Sequence, residues 1–205
     1  MRKLFSLFVA LLATTALWAY SFQSGDLYYK ITSDSEPYAV EVTHNNYETY
    51  NFNTIDIPET IVYEGITYSV TGIGEEAINS SSLASIVIPN SITYIGERAF
   101  YMSQLTSVQI PNSVNRINYG AFELCGALES IKLGENINFI GAGAFAECHN
   151  LTSIEIPKNV ETIGNYVFYL CGNLTSISVD AQNKRYGSFG NCNAIVDCQT
   201  NTLVA

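Results

Sequence analysis

The chain has 205 residues, with 9 lysines and arginines against 19 aspartates and glutamates, which gives a formal net charge of −10 at pH 7. This acidic balance argues against polyanionic partners, so no nucleic acid and no anionic lipid surface is expected to bind. Basic clusters are absent from the sequence, and only two histidines occur, His44 and His149.

Residues 1–21 are predicted to be a secretory signal peptide. Arg2 and Lys3 form a basic start, and Leu4 to Leu17 is an uncharged apolar run, shorter than the roughly 20 residues that a membrane span needs. Cleavage after Ala19 or Ser21 would remove both basic residues, so the charge of −10 becomes −12. The mature chain is therefore expected to have no membrane span and to be secreted or held at the cell surface.

Residues 22–54 are predicted to form an N-terminal β cap. The segments "DLYYKITS" and "YAVEVTHN" alternate as strands do, and Asp34, Ser35 and Pro37 between them are typical of a turn. Seven of the 14 tyrosines fall between Tyr28 and Tyr68. An antiparallel cap is therefore expected, with tyrosines covering the apolar end of the elements that follow.

Residues 55–82 resemble an irregular first turn of a repeat that continues downstream. "IDIPETI" matches the first half of the later repeats and "TGIGEEAI" matches their second half, with "VYEGITYS" inserted between them. Gly65 in the insertion predicts a hairpin loop.

The main feature of the sequence is a repeat of 22 or 23 residues, with units that open at Leu83, Leu105, Leu128, Leu151 and Leu174. Such a period is typical of a solenoid. The first half of each unit has the apolar spacing L-x-x-I-x-I, as in Leu105, Val108 and Ile110, which predicts a strand with its alternate side chains pointing inward. Pro89, Pro111 and Pro157 follow the strand and are expected to end it.

The second half of each unit predicts a second short strand, a turn at glycine and a single helical turn that carries a phenylalanine inward. Its pattern is V/I-x-x-I-G followed by A-F-x-x-C, as in Ala121, Phe122 and Cys125. One unit cannot bury enough apolar surface to fold alone, so stacking of units is required. The predicted fold is an α/β solenoid, mostly β, in which residues 55–179 wind as a right-handed parallel superhelix behind the antiparallel β cap.

Residues 180–205 depart from the repeat and are predicted to be an irregular C-terminal segment. Phe189 and Cys192 keep the F-x-x-C spacing, but the last dozen residues show no polar cap.

"LTSVQIPNSV", "IGERAF" and "AFELC" resemble the BspA-like leucine-rich repeats of secreted and cell-surface proteins of the Bacteroidetes type. The resemblance is tight over 83–179 and loose over 22–82, and "NCNAIVDCQTNTL" resembles a segment that links repeat blocks in this family. It implies an exported or cell-surface leucine-rich repeat protein, and adhesion to host or extracellular-matrix proteins.

Residues that could carry chemistry are sparse, and no catalytic, metal or cofactor site is predicted. His149 falls at a turn between units, where an exposed loop residue is expected. Cys125, Cys148, Cys171 and Cys192 share one register, which permits a disulfide-stapled ladder. The sequence favours buried free thiols, because the same position is Ser103 in the unit that opens at Leu83. Cys198 is the expected partner of Cys192 if any pair forms.

Three columns of outward side chains are predicted, and two of them are candidate binding surfaces. On the first strand of each unit, one column is monotonous and the other is varied; the varied column is Val87, Gln109, Lys132, Glu155 and Ser178. A rival column on the second strand is more aromatic: Tyr94, Arg116, Phe139 and Thr162. The candidate ligand-binding residues are therefore Gln109, Lys132, Glu155, Tyr94, Arg116 and Phe139, and the sequence does not choose between the two columns.

The export signal, the repeat surface and the lack of catalytic motifs predict a non-enzymatic protein-binding or adhesion module at the cell surface, with an extracellular or host protein as its partner. Two alternatives stay open. One is a glycan-binding module, against which the lack of tryptophan in the mature chain counts, since the sole Trp18 lies in the signal peptide. The other is a structural surface spacer with no ligand of its own.

Overall fold

A computed structural model describes residues 20–45, 51–79, 82–188 and 194–205. The predicted signal peptide, apart from Tyr20 and Ser21, lies outside the described residues, and so do Phe189 and Cys192. The described part contains eighteen strands and no helix, so it offers no helix long and apolar enough to cross a membrane. The fold is a mostly-β leucine-rich repeat solenoid, in agreement with the fold class predicted from the repeat.

The first strands of the units stack in parallel and form what we call the strand face, confirming the strand predicted from L-x-x-I-x-I. These strands are β4 (Thr54–Asp56), β7 (Ser85–Val87), β9 (Ser107–Gln109), β11 (Ser130–Lys132), β13 (Ser153–Ile156) and β15 (Ser176–Val179). Parallel pairing joins β4 to β7, and separately joins β9, β11, β13 and β15 in order. Between β7 and β9, the amide of Thr106 donates to the carbonyl of Ala84 at 3.3 Å.

The second strands of the units form a separate parallel ladder, as the V/I-x-x-I-G half predicts. Ile95, Ile117, Ile140 and Ile163 lie opposite one another in this ladder and point inward. Each of the units that open at Leu83, Leu105, Leu128 and Leu151 therefore contributes one strand to each of the two ladders, and we call such a unit a rung. The strands are β8 (Tyr94–Ile95), β10 (Arg116–Ile117), β12 (Phe139–Ile140) and β14 (Thr162–Ile163).

The N-terminal region is an antiparallel cap that continues the second sheet. Strands β1 (Phe22–Ser24), β2 (Leu27–Ser33) and β3 (Ala39–Thr43) are antiparallel. Strands β5 (Thr60–Tyr63) and β6 (Ile66–Ile73) form the predicted hairpin, whose turn places Glu64 and Gly65 at positive φ. β3 then pairs in parallel with β6, and β6 with β8, so the cap and the repeats share one sheet.

A continuous apolar core runs between the two sheets. The strand residues alternate exposed, buried, exposed, as in Ser107, Val108 and Gln109. The phenylalanines that recur in the second half of each unit point inward and stack on one another. The ring centroids of Phe100, Phe122, Phe145 and Phe168 are successively 5.0, 5.6 and 5.9 Å apart. The first three are fully buried, and Phe168 at the end of the stack is half-buried.

The predicted helical turn after the glycine is wrong; two hydrogen-bonded turns replace it. Leu124 adopts a φ of 61° and Gly120 a φ of 55°, and the same two positions are left-handed in the neighbouring rungs, which is incompatible with a right-handed helix. The amide of Phe122 donates to the carbonyl of Ala144 in the next rung at 2.8 Å. Backbone donors that a helix would use internally therefore bond between rungs. We call this third side of the solenoid the turn face.

The C-terminal segment, predicted to be irregular, contains a small antiparallel sheet of β16 (Tyr186–Gly187), β17 (Val196–Asp197) and β18 (Thr202–Leu203). Tyr186 and Ile195 are buried. The hydroxyl of Tyr186 accepts a hydrogen bond from the amide of Ile163 at 3.1 Å, so the segment covers part of the last complete rung.

Asp197 holds this segment together, and its role predicts a pH-dependent stability. Burial raises its pKa, but the amides of Gln199 and Thr200 and the guanidinium of Arg185 lower it by more, so the pKa of Asp197 lies below its usual value. A lowered pKa stabilises the fold above the unfolded-state value of about 3.9, and this stabilisation is lost as the pH falls through the lower folded-state value.

Asp197→Asn is therefore expected to lower Tm at pH 7, and the gap to wild type is expected to close as the pH falls below about 4. Thermal unfolding of both proteins across this pH range measures the effect. The exposed Asp26 supplies the control variant, Asp26→Asn, for which little change in Tm is expected. A gap for Asp197→Asn that stays constant with pH would contradict this role.

Candidate binding surfaces

The varied column predicted on the strand face is present and exposed. Gln109 lies directly opposite Lys132 in the ladder, and the pairing of Ser130 with Ser153 places Glu155 next in line. All three side chains are exposed. Each strand is only three or four residues long, and its second residue points inward. The residues on either side of that position therefore face solvent.

A groove of about 330 Å³ runs beside this column. Lys132 and Glu155 line it together with Glu135 and Asp180, and the ammonium of Lys158 lies 3.0 Å from the carboxylate of Glu135. Carboxylates outnumber ammonium groups here, so this groove suits a polar partner with basic groups.

The rival column on the second sheet also forms, but Arg116, Phe139 and Tyr94 are engaged in contacts within the protein. Tyr94, Arg116, Phe139 and Thr162 lie opposite one another in successive strands. The guanidinium carbon of Arg116 lies 4.3 Å from the ring centroid of Phe139, and its Nε donates to Asn118 Oδ1 at 2.8 Å. This column therefore offers a partner less unpaired polarity than the strand face does.

Tyr94 is tied into the cap. Its hydroxyl donates to the carboxylate of Glu41, and its pKa is raised above the ordinary value by burial first and by Glu41 second. A cleft of about 470 Å³ opens beside it, lined by Glu41, Glu75 and Glu97 with Lys30. Among the described residues that line this cleft, Lys30 is the only cation. Its ammonium lies 3.5 Å from the carboxylate of Glu41.

The turn face carries an apolar surface that the sequence reasoning missed. Five of the eight large hydrophobic side chains exposed in the described part of the chain lie there: Met102, Tyr119, Tyr166, Tyr169 and Leu170. Tyr166 is 74% exposed. Three of the five, Tyr119, Tyr166 and Tyr169, line one cleft. Contiguous exposed apolar side chains are typical of interaction surfaces, and tyrosine is enriched in them. Aligning the residues in and next to the A-F-x-x-C pattern from one unit to the next would have revealed this surface.

The cysteines form a ladder of free thiols. Cys125, Cys148 and Cys171 each donate from Sγ to a phenylalanine carbonyl of the preceding rung, at 3.1, 3.2 and 3.0 Å. Ser103 takes the same position one rung earlier and lies 3.2 Å from Cys125 Sγ. These thiols and Cys198 are unpaired in the described residues, which confirms the favoured interpretation over the stapled ladder for that part of the chain.

Selective labelling of the thiols tests the ladder. Burial raises the pKa of Cys125 to about 11 and raises that of Cys148 further, so both thiolates are scarce at pH 8 and inaccessible. We expect iodoacetamide to modify the exposed Cys198 quickly, and Cys125 and Cys148 only as urea unfolds the protein, with the site of modification read by peptide mass spectrometry. Labelling of Cys148 in the native protein as fast as Cys198 would contradict the burial.

Other groups offer little chemistry. His149 is exposed, as predicted, and its Nδ1 lies 2.9 Å from the carbonyl of Leu170. Within the described ranges, no three His, Cys, Asp or Glu side chains converge as metal ligands would.

Comparisons with known proteins place the chain among repeat proteins. Residues 71–196 match the model of the BspA type leucine rich repeat region, in six copies. No curated protein matches the chain.

The chain is also similar to several solved structures. The pneumococcal vaccine antigen PcpA is 18% identical with a TM-score of 0.71, covering 91% of this chain and 56% of that one. The leucine-rich repeat protein of T. pallidum is 24% identical with a TM-score of 0.65, covering 75% and 68%. A leucine-rich repeat protein from Bacteroides capillosus is 25% identical with a TM-score of 0.50, covering 78% and 98%. The chain thus spans little more than half the length of the pneumococcal protein.

Proposed function

Because the chain belongs to the BspA-type leucine-rich repeat family, we propose that it is an exported, non-enzymatic module that binds an extracellular or host protein at the cell surface. The observation that carries this function is the turn face, where five large apolar side chains are exposed and three of them, Tyr119, Tyr166 and Tyr169, line one cleft. A spacer without a ligand gains nothing from exposing Tyr166 and Tyr169 to water, whereas a protein interface uses such residues as anchors.

The strand face supports the same function in a different way. Gln109, Lys132 and Glu155 present an amide, an ammonium and a carboxylate in one line, spaced by the parallel ladder. Neighbouring strands lie about 4.8 Å apart, so the three groups are close enough together to contact adjacent side chains of one partner. Charged groups at an interface contribute chiefly to specificity and association rate, while the aromatic turn face supplies buried area.

Binding of a panel of purified extracellular-matrix proteins to the immobilised mature chain tests the function. For the Gln109→Ala, Lys132→Ala, Glu155→Ala triple variant we expect binding about tenfold weaker or more, because three polar contacts are lost together. The matched control replaces the monotonous column, Ser107→Ala, Ser130→Ala and Ser153→Ala, and is expected to change binding about twofold or less.

Two outcomes would overturn this function. Failure of the wild-type chain to bind any protein, on the panel or in a capture from host cell extracts, would leave the spacer alternative. Binding confined to carbohydrates on a glycan array would replace a protein ligand with a glycan.

A further inference from the structure

The chain contains its own example of a bound cation on the turn face. The guanidinium of Arg98 lies 5.5 Å from the ring centroid of Tyr101 and 5.4 Å from that of Tyr119. Its Nε is 3.7 Å from the carboxylate of Glu123. Two tyrosine rings and one carboxylate therefore form a site that favours an arginine side chain, since ring faces and carboxylates both attract a guanidinium.

Arg98 reaches this position by crossing over a glycine of the next rung. A Cβ placed on Gly120 would lie 2.7 Å from Oε2 of Glu123 and 3.4 Å from Cγ of Arg98, so the carboxylate and the arginine stem together occupy the space that a side chain at 120 would take. The residues at this register in successive rungs are Arg98, Gly120, Gly143 and Tyr166, and all four have a left-handed backbone, with φ of 49°, 55°, 62° and 58°.

One rung further along, tyrosine rings and a carboxylate again line the surface, but no arginine lies there. Because residue 120 is glycine, no side chain crosses from that register over Gly143. A slot of about 380 Å³ remains, with a floor of Ala142, Gly143 and Ala146. We call it the turn-face slot.

Aromatic rings and a carboxylate line this slot. Tyr119 stands on one side, with its Cε2 4.0 Å from the position of a Cβ at Gly143, and Glu123 stands beside it. Tyr166 and Tyr169 line the rest of the slot, packed edge to face at a centroid distance of 6.0 Å. Tyr119 therefore helps to line both the Arg98 site and the slot.

The carboxylate of Glu123 is only partly satisfied by the protein. Its Oε2 is buried and accepts no hydrogen bond from the described residues, and Arg98 approaches it no closer than 3.7 Å. The chain as a whole carries a formal charge of −10, which attracts basic partners over longer distances. A guanidinium entering the slot would meet a carboxylate that is paired with Arg98 but not hydrogen-bonded to it, and tyrosine rings on two sides.

We propose that the turn-face slot binds an arginine side chain presented by a basic segment of the protein partner, an inference that rests on the proposed protein-binding function. The guanidinium stacks against Tyr119 and the pair Tyr166 and Tyr169, as Arg98 stacks one rung earlier. The small floor admits the arginine stem, and Asn165 at the rim offers an amide oxygen to a guanidinium N–H.

A short fluorescein-labelled peptide with two arginines, separated by glycine and serine, tests the slot by fluorescence anisotropy with the mature chain. The matched peptide carries citrulline, which keeps the shape of arginine and removes its charge. We expect the arginine peptide to bind about tenfold more tightly or better, because cation–π and ionic contacts are lost with citrulline. Equal binding of the two peptides would overturn the slot.

Gly143→Arg provides a variant that fills the slot from within. The backbone at this register already accommodates Arg98 and Tyr166 with similar φ, so the fold should tolerate it, and circular dichroism checks this. The matched control is Val62→Arg, which makes the same change in net charge at a residue that is 64% exposed on the cap hairpin. We expect Gly143→Arg to weaken peptide binding about tenfold or more, and Val62→Arg to weaken it about twofold or less.

If the two variants weaken binding equally, the peptide is attracted by the overall negative charge of the protein and not by the slot. That result would overturn the assignment. If Gly143→Arg does not fold, the pair Tyr119→Ala and Tyr169→Ala replaces it, with the same expected loss. Matrix-protein binding that is lost in the strand-face triple variant, while the arginine peptide fails to bind the wild-type chain, would overturn the slot and leave the protein-binding function standing.

Discussion

Phe145→Ala is expected to destabilise the protein by about 3–5 kcal/mol, because it removes the middle of the phenylalanine stack. Phe145 is fully buried, with ring centroids 5.6 Å from Phe122 and 5.9 Å from Phe168. The rungs are held apart by backbone ladders on all three sides, so they cannot collapse into the space. A cavity bounded by two rings is left, and the lost burial and the cavity both cost free energy.

Urea unfolding followed by far-ultraviolet circular dichroism measures this loss. Phe168→Ala is the matched variant, since it removes the same ring from the half-buried end of the stack, where solvent can enter and fewer contacts are lost. We expect it to cost about half as much or less. A loss for Phe168→Ala equal to that for Phe145→Ala would contradict the graded stack.

Gly141→Ala is expected to cost about 1–3 kcal/mol although it adds a single methyl group. A Cβ at Gly141 would lie 2.5 Å from both the carbonyl carbon of Asn118 and the amide nitrogen of Tyr119. These are backbone atoms that cannot rotate away, so the rungs must separate. The hydrogen bond from the amide of Gly141 to the carbonyl of Ile117, at 2.8 Å, is lengthened by the same movement.

Gly172→Ala is the control for this substitution. A Cβ at Gly172 would meet no atom within 4 Å, and its φ is not left-handed, so its effect on stability is expected to stay within about 0.5–1 kcal/mol. Tm and urea midpoints of the two variants give the comparison. Equal values for Gly141→Ala and Gly172→Ala would show that the rungs are not in close contact at this glycine.

The stacking of rungs could be predicted from the sequence because each unit repeats the same inward residues. Leu105 and Leu128, for example, open adjacent units with the same spacing to the next inward residues, so equivalent apolar side chains meet when the units stack. The strand-face column followed directly from this, because residues such as Gln109 and Lys132 occupy equal places in adjacent strands.

The turn face could not be predicted in the same way. Ala-Phe followed by polar residues suits a helical turn locally, and the non-glycine residues Leu124 and Glu147 give no sign of a left-handed backbone. Their conformation results from hydrogen bonds to the next rung, as from the amide of Leu124 to the carbonyl of Ala146. The turn-face slot was missed for a related reason: Tyr119 and Tyr166 occupy different positions in their units and line one slot only because of how the rungs stack.

The two-residue strands of the C-terminal segment also escaped prediction. A strand such as Tyr186–Gly187 is too short to show alternation. Its place is fixed by the hydrogen bonds of Asn183, whose side-chain amide donates to the carbonyls of Pro157 and Val160 at 2.9 and 3.1 Å.

The inter-rung bonding has an evolutionary consequence. Each interior rung bonds to the one before it and the one after it through equivalent groups, as in the amides of Phe122 and Phe145, which donate to carbonyls one rung along. In-frame duplication or deletion of one such unit in the gene would leave its neighbours' bonds unchanged. Unequal crossing-over can therefore lengthen or shorten the protein in whole repeats, and shift where a partner is held relative to either end, without the need for any compensating substitution in the core.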